Sequence, residues 1–253
     1  MAIEQIPQAS FYLDWKFWSV VVSTIAIVLS QLPPLHILMR RAKLDVEAYS
    51  RMHITHKLGN PNAQLHLIVS NTGGREVKIK KITLQIRRGA EDCFVLPAQN
   101  YLQLPGDKET VLLTTFKIKP NEEWVHIVNF LNFFSRSDEK TYRQLEYNLR
   151  QDISKKRDGL EDKNIDVAGD DGNVQPFLKF FETKFCWFPG EYNFTLEIEA
   201  DPKKASLKKD YRFTLFESDS TELEGYRDDY KYGLGIFLNH PNHQGLIVPL
   251  SEA

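Results

Sequence analysis

Two pairs of histidines at three-residue spacing are the feature of this 253-residue chain best suited to chemistry. His53 and His56 form the first pair, and His240 and His243 form the second. Imidazole nitrogens are common zinc ligands, and strands could bring the two pairs together around one ion. Neither pair carries the glutamate of a helical zinc-protease motif, however, and Pro241 excludes a regular helix across the second pair. We therefore interpret all four as loop histidines first and as metal ligands second.

Sequence motifs for covalent or phosphate chemistry are missing. The chain contains neither the Gly-x-Ser-x-Gly turn of many hydrolases nor the Gly-x-x-x-x-Gly-Lys-Ser/Thr phosphate loop. Cys186 lies between Phe185 and Trp187, and Cys93 follows Asp92. Apolar or acidic neighbours disfavour the thiolate that a catalytic cysteine needs. The sequence therefore predicts a protein that is not an enzyme and has no cofactor.

A polar segment near the C-terminal end is the predicted binding site for a ligand or partner. It lies between two apolar runs and contains side chains that can donate and accept hydrogen bonds, namely Asn239, His240, Asn242, His243 and Gln244. Binding residues are often found on such loops, where a rigid scaffold positions them. The alternative is a hairpin turn that only completes a sheet.

The elements that must position these residues are predicted to be mainly β-strands. Alternating or continuous apolar runs occur at residues 65–69, 77–86, 111–118, 190–199 and 211–216. One out-of-step lysine predicts a bulge near Lys80 or Lys81. We expect the first two runs to be antiparallel neighbours and the last two runs to pair with each other. The pattern favours an antiparallel β-sandwich, immunoglobulin-like in architecture.

A helical insertion is predicted within this sandwich, at about residues 122–175. Apolar residues recur at helical spacing in two groups, Trp124, Ile127, Val128, Leu131 and Phe134, then Tyr142, Leu145, Leu149 and Ile153. The charged and glycine-rich residues 155–175 are predicted to form a mobile loop. Another helix is expected within 218–233, where Leu223, Tyr226 and Tyr230 share one face and Ser220 is placed to cap.

The N-terminal apolar run is long enough to cross a bilayer. The 23 residues from Phe17 to Met39 carry no acidic or basic side chain other than a histidine. About 20 such residues suffice for a transmembrane helix. We expect a short tail over 1–16, a transmembrane helix over 17–39 and a β-rich domain over 40–253. A cleaved signal peptide and a buried core helix are the alternatives, although the acidic, aromatic N-terminus fits a signal peptide poorly.

Charges next to this run predict its orientation. Arg40, Arg41 and Lys43 follow it, whereas Lys16 alone precedes it closely. Basic residues favour the cytoplasmic side of a membrane. We therefore predict an inner-membrane protein with its N-terminus outside and its large domain in the cytoplasm. Two cysteines are too few for a disulfide framework, which agrees with a reducing compartment.

Small residues on one face of the apolar run predict self-association within the membrane. Ser19, Ser23, Ala26 and Ser30 lie on a single helical face, and Gln31 adds an amide that would seek a partner in lipid. The alternative is that the serine hydroxyls bond to carbonyls of their own helix.

Composition excludes two classes of protein. A net charge of −2 argues against a nucleic-acid-binding surface, and a hydrophobic content of 42% argues against disorder. The layout resembles bacterial membrane-anchored sandwich proteins in architecture alone. The sequence thus predicts a single-pass interaction or sensing module that binds a cytosolic protein or a small ligand. The alternative is a membrane effector, for example of a bacterial defence system, that clusters and perturbs the bilayer.

Overall fold

The computed structural model describes residues 15–31, 40–89, 91–104, 106–160, 166–239 and 243–252, without the side chains of 31 and 91–93. Its helices are α1 (Trp15–Gln31), α2 (Arg136–Asp158), α3 (Asp171–Lys184) and α4 (Glu217–Gly225). Two shorter 3₁₀ turns are found at Lys203–Ala205 and Tyr226–Tyr232. The second continues directly from α4, and we call it the 3₁₀ segment.

The strands form one antiparallel sheet that is nearly barrel-shaped. They are β1 (Leu44–Lys57), β2 (Asn60–Asn71), β3 (Val77–Arg88), β4 (Glu91–Leu102), β5 (Val111–Leu112), β6 (Phe116–Ile118), β7 (Glu123–Leu131), β8 (Gly190–Asp201), β9 (Leu207–Leu215), β10 (Leu246–Pro249) and β11 (Ser251–Glu252). Their order is β10-β1-β2-β7-β4-β3-β8-β9-β11, with β5 beside β4 and β6 beside β3. Leu250 alone separates β10 from β11, so the last strands bring the two edges together.

Alternation along the strands builds the core inside this barrel. In β2 the odd-numbered residues Leu65, Leu67 and Val69 are fully buried, while their neighbours are half-buried. Trp187 is also fully buried, and its Nε1 donates a hydrogen bond to the Thr55 carbonyl at 2.8 Å. Burying a large apolar side chain stabilises the fold by about 1.5–3 kcal/mol, so this face fixes the orientation of each strand.

Several predicted strand features are confirmed, and one pairing is wrong. A bulge interrupts the β3–β8 register between Ile79 and Lys81, and β8 pairs with β9 along its length. The runs 65–69 and 77–86 are both strands, but they do not pair with each other. β2 lies between β1 and β7, whereas β3 lies between β4 and β8. The connection over 72–76 is longer than a two-residue hairpin loop and carries the chain to another part of the sheet.

The first half of the predicted helical insertion is a strand. Trp124, Val128 and Phe130 belong to β7, which pairs with β2 and β4. The error arises because residues four apart share a face in both a helix and a strand. His126 breaks the helical pattern and keeps the strand pattern, since it lies opposite the inward residue Leu67.

The second half of the insertion is helical, as predicted, but longer. α2 covers the predicted face, and Tyr142, Leu149 and Ile153 are buried on it. The predicted mobile loop 155–175 is wrong in part, because it contains the end of α2 and the start of α3. α3 was not expected, since the glycine and acidic residues at its start obscure the apolar face formed by Val174, Phe177 and Phe181. Residues 161–165 lie outside the described residues.

The N-terminal helix differs from its prediction. α1 begins at Trp15, inside the predicted tail, and ends at Gln31, before Pro33 and Pro34. Its 17 residues rise about 26 Å, against a hydrocarbon core of about 30 Å. Of the helices in the described part of the chain, none combines the length and the apolar character required to cross a membrane. A transmembrane helix over 17–39 is therefore not supported, and residues 1–14 and 32–39 are not described.

Candidate functional site: a histidine–tyrosine cleft

A cleft of about 230 Å³ opens at the barrel end that carries the C-terminal helices. We call it the histidine–tyrosine cleft. Its lining comes from β1, from the turn after β1, from the 3₁₀ segment and from the chain that leads to β10, and comprises His56, Leu58, Tyr226, Tyr230, Gly235, Asn239 and His243. Aromatic walls with a few polar groups are typical of small-molecule sites, although this cleft is smaller than most of them.

His56 forms the floor of the cleft and is held as a neutral imidazole. Its Nε2 donates to the Leu223 carbonyl at 2.8 Å, and its Nδ1 accepts from the Gly59 amide at 3.0 Å. The pKa of His56 is lowered to about 4, chiefly by burial and also by the nearby His243, while the hydrogen bond to the Leu223 carbonyl opposes both effects. Because both ring nitrogens already have partners, His56 shapes the cleft and cannot bind a metal without losing a buried hydrogen bond.

His243 is fixed by a carboxylate and by an aromatic ring. Its Nε2 lies 2.8 Å from Oδ2 of Asp229, and its ring stacks on Tyr226 with 4.2 Å between centroids and 14° between planes. The Tyr226 hydroxyl in turn accepts a hydrogen bond from the Gly245 amide at 3.0 Å. This arrangement ties the polar C-terminal segment to the 3₁₀ segment. A histidine–aspartate pair alone lacks a nucleophile, and the described residues that line the cleft include no serine, threonine or cysteine.

Tyr230 is a buried residue in the wall of the cleft. Its side chain is 1% exposed, and its hydroxyl has no hydrogen-bond partner among the described residues. Burial raises the pKa of Tyr230, so the hydroxyl stays protonated and can donate. A buried hydroxyl without a partner costs free energy.

The turn between β1 and β2 gives the cleft its apolar wall. Leu58 and Gly59 both have positive φ, 51° and 82°, as a two-residue hairpin turn requires. This conformation is strained for leucine, by about 1 kcal/mol or more, yet it buries the Leu58 side chain in the core. A Cβ on Gly59 would lie 2.7 Å from both the Phe181 carbonyl oxygen and the Phe185 nitrogen, so glycine alone fits there.

The structure places some of the predicted binding residues at this cleft. Asn239 and His243 line it. The Gln244 main-chain carbonyl contacts Nε2 of His53, which joins the first histidine pair to the C-terminal segment. His240 and Asn242 lie outside the described residues, so their prediction stays open. Three histidines of the metal hypothesis, His53, His56 and His243, are described, and none of them belongs to a group of three or more potential ligands among the described residues.

Three residues of the cleft were missed as functional residues. Nothing in the sequence marks Leu58 as a turn residue, because leucine is unusual at positive φ. Tyr226 and Tyr230 were predicted to share a helical face, and that face does point at His56 and His243. Ser220 was predicted to cap the helix, but it lies within α4, where its hydroxyl donates to the Trp187 carbonyl at 2.7 Å.

Comparison with known proteins gives no relative from which a role could be carried over. No model of a known protein family matches the chain, and no curated protein matches it. The cleft must therefore be interpreted from its own chemistry.

The predicted membrane-association face lies on α1 and is exposed. Ser19, Ser23, Ala26 and Ser30 are all on the surface, whereas the Gln31 side chain is not described. The hydroxyls of Ser19 and Ser30 donate to the carbonyls of Lys16 and Ile27 at 2.8 and 2.7 Å. Serines bonded to their own helix need no second helix, so self-association through this face stays a prediction.

Proposed function

We propose that the protein is a nonenzymatic binding or sensing module held at a membrane by its N-terminal apolar segment. The single observation that supports membrane attachment best is the exposure of α1. Most of its apolar side chains are exposed, with Trp15 at 74%, Val20 at 64% and Ile27 at 64% exposure, and only Phe17 and Val21 are half-buried. Leaving such a surface in water is unfavourable by about 25 cal/mol for each Å². Lipid would cover it, and the apolar sequence continues over 32–39.

The proposed orientation follows from charge. Arg40, Arg41 and Lys43 follow the apolar segment and favour the cytoplasmic face of the inner membrane. The barrel would then face the cytoplasm, where its cleft could bind a small polar ligand or the end of a partner protein. In this proposal the cleft binds the ligand or partner, and α1 holds the protein at the membrane.

Membrane attachment is tested by fractionation of the full chain. Wild-type protein is expected in the membrane fraction and in detergent extracts. The triple variant Val22→Gln, Ile25→Gln and Val28→Gln is expected in the soluble fraction, because each change places an amide in lipid. A matched control changes three exposed apolar residues of the barrel to glutamine, namely Val95, Leu112 and Ile247, and is expected to stay in the membrane. Wild-type protein in the soluble pool without detergent would contradict the proposal.

Ligand binding is tested by thermal shift of the detergent-solubilised protein against nucleotides, amino acids, sugar phosphates and dipeptides. A compound that binds the cleft should raise the Tm of wild type and have no effect on His243→Ala. The control His66→Ala, on the outward face of β2, should respond as wild type does. A compound that stabilises all three proteins equally does not bind at the cleft, and a panel without any hit argues against this ligand class.

A further inference from the structure

One end of the barrel carries a concentration of basic side chains, contributed by segments far apart in sequence. These residues come from the approach to β1, the β2–β3 connection, the start of β3 and the β8–β9 turn, and are Arg41, Lys43, Arg75, Lys78, Lys203 and Lys204. We call them the basic rim. All six are exposed.

Strand pairing places the members of the basic rim at the same end. The Gly73 and Gly74 amides donate to the carbonyls of Lys43 and Arg41 at 3.1 and 3.2 Å, which joins the β2–β3 connection to the approach of β1. Lys78 lies opposite Asp201 at the end of β8, next to the turn that contains Lys203. The rim is therefore a product of the fold and cannot be found as a basic run in the sequence.

Neighbouring acids leave the rim's charge largely uncompensated. In the described part of the chain, no carboxylate lies within 4.0 Å of the charged nitrogens of the six residues. The nearby carboxylates of Asp201, Glu76 and Glu122 instead form ion pairs with three further lysines, Lys80, Lys117 and Lys119. Asp45 and Glu123 also lie at this end, so basic groups exceed acidic ones.

The C-terminal helical segment at the opposite end of the barrel is acidic. α4 and the 3₁₀ segment follow the far end of β9 and carry six acids against two basic residues, Arg227 and Lys231, and the acids are Glu217, Asp219, Glu222, Glu224, Asp228 and Asp229. The chain has a net charge of only −2, so this separation of charge reflects arrangement and not composition. A charged surface would therefore orient the barrel with the rim toward negative charge.

The rim is also the end where the chain arrives from α1. The backbone between Gln31 and Arg40 spans at most roughly 30 Å. A lipid surface that held α1 would therefore lie close to the rim and far from the acidic end. Basic groups near a cytoplasmic leaflet gain affinity from its anionic lipids.

We propose that the basic rim binds the anionic headgroups of phospholipids and orients the barrel with its histidine–tyrosine cleft away from the bilayer. This inference rests on the proposed membrane attachment. The rim adds a second, electrostatic contact to the apolar contact of α1, and the two contacts differ in their response to salt.

The test measures binding of the full chain to two kinds of vesicle by flotation, phosphatidylcholine alone and phosphatidylcholine with 30% phosphatidylglycerol. Wild type should bind both kinds of vesicle and prefer the anionic ones about tenfold or more in 0.1 M NaCl. This expectation follows because each basic group in contact with anionic lipid raises the affinity about fivefold. The preference should vanish in 0.5 M NaCl, because salt screens exposed charges. Equal binding to both vesicles in low salt would overturn the rim proposal and leave membrane attachment standing.

Variants separate the two contacts. Changing Arg75, Lys203 and Lys204 to glutamine should lower the anionic preference by about tenfold or more and leave binding to neutral vesicles unchanged. A matched control changes three exposed lysines of α2 and α3 to glutamine, namely Lys140, Lys155 and Lys179, and should behave as wild type. If the control loses the preference as fully as the rim variant, total charge is responsible and the rim proposal is wrong.

Failure of the anchor gives a different result. The α1 variant Val22→Gln, Ile25→Gln and Val28→Gln should lose binding to neutral vesicles and keep weak, salt-sensitive binding to anionic ones. Wild-type protein that ignores neutral vesicles but binds anionic ones would contradict attachment through α1 and support the rim. Protein that binds neither vesicle would contradict both proposals.

Discussion

At the scale of single residues, the cleft joins a buried neutral histidine to a histidine held by a carboxylate. His56 has both ring nitrogens in hydrogen bonds, whereas His243 is oriented by Asp229 and stacked on Tyr226. Because their surroundings differ, the two histidines have different roles. His56 maintains the shape of the cleft, and His243 lines it.

Acid should destabilise the protein through His56. The folded pKa of about 4 lies below the ordinary value of 6.5, so the unfolded chain binds a proton first as the pH falls. Neutral His56 contributes fully to the free energy of unfolding above pH 6.5, and this contribution is lost toward pH 4. About 2 kcal/mol of it is lost between pH 7 and pH 5. Urea unfolding at each pH measures this change in the free energy of unfolding. His56→Gln should show a smaller loss than wild type, and His66→Gln the same loss.

If His56→Gln and wild type lose stability equally between pH 7 and 5, protonation of His56 does not drive the acid sensitivity. Comparing variants in this window removes most of the contribution of carboxylates, which are common to all three proteins.

Tyr230 and Tyr142 make a matched pair for measuring the worth of a buried hydroxyl. The Tyr142 hydroxyl donates to the Ile236 carbonyl at 2.9 Å, whereas the Tyr230 hydroxyl has no partner in the described residues. Tyr142→Phe should lower the free energy of unfolding by about 1 kcal/mol, and Tyr230→Phe should leave it unchanged or raise it. Denaturant titration compares them. A Tyr230→Phe loss as large as that of Tyr142→Phe would mean that the hydroxyl is bonded in the folded chain.

At the scale of elements, the barrel depends on its last two strands. β10 pairs with β1 and β11 pairs with β9, so residues 246–252 connect edges that are otherwise open. Val248 is 3% exposed and lies opposite Met52, whereas its neighbour Ile247 is 65% exposed.

Val248→Asp should therefore disrupt the pairing of β10 with β1. An unpaired buried carboxylate costs about 3 kcal/mol or more, while Ile247→Asp keeps its charge in water and should cost little. Hydrogen exchange locates the effect, since the amides of β1 near Met52 should lose protection in Val248→Asp alone. Equal stability of the two variants would show that β10 does not hold the sheet closed.

Local pattern predicted the elements better than their partners. The alternation in β3 and β8 and the bulge after Ile79 followed from the sequence, because a buried face imposes a period of two. The closing contact through Leu250 and the crossover after β2 could not be predicted, since strand partners depend on long-range packing. For the cleft, the polar C-terminal segment was noted in the sequence, whereas its position in one cleft with His56 required the fold.

At the scale of the whole molecule, the proposed topology can be tested without disturbing the fold. In a background that lacks Cys93 and Cys186, Leu112→Cys places a thiol on the barrel surface, where Leu112 is 74% exposed. Ala2→Cys marks the predicted outer tail. A membrane-impermeant maleimide should label Ala2→Cys in intact spheroplasts and Leu112→Cys in inverted vesicles. The reverse pattern would place the barrel outside the cytoplasm.

The position of the closing strands has a consequence for synthesis. β1 and β9 are made before residues 246–252, so on the ribosome each has a free edge that can pair with another chain. Under the proposed membrane attachment, the apolar segment of α1 emerges far earlier and reaches lipid while these edges are still open. Early attachment would keep nascent chains apart, and slow translation of the final residues should therefore increase aggregation more than slow translation elsewhere.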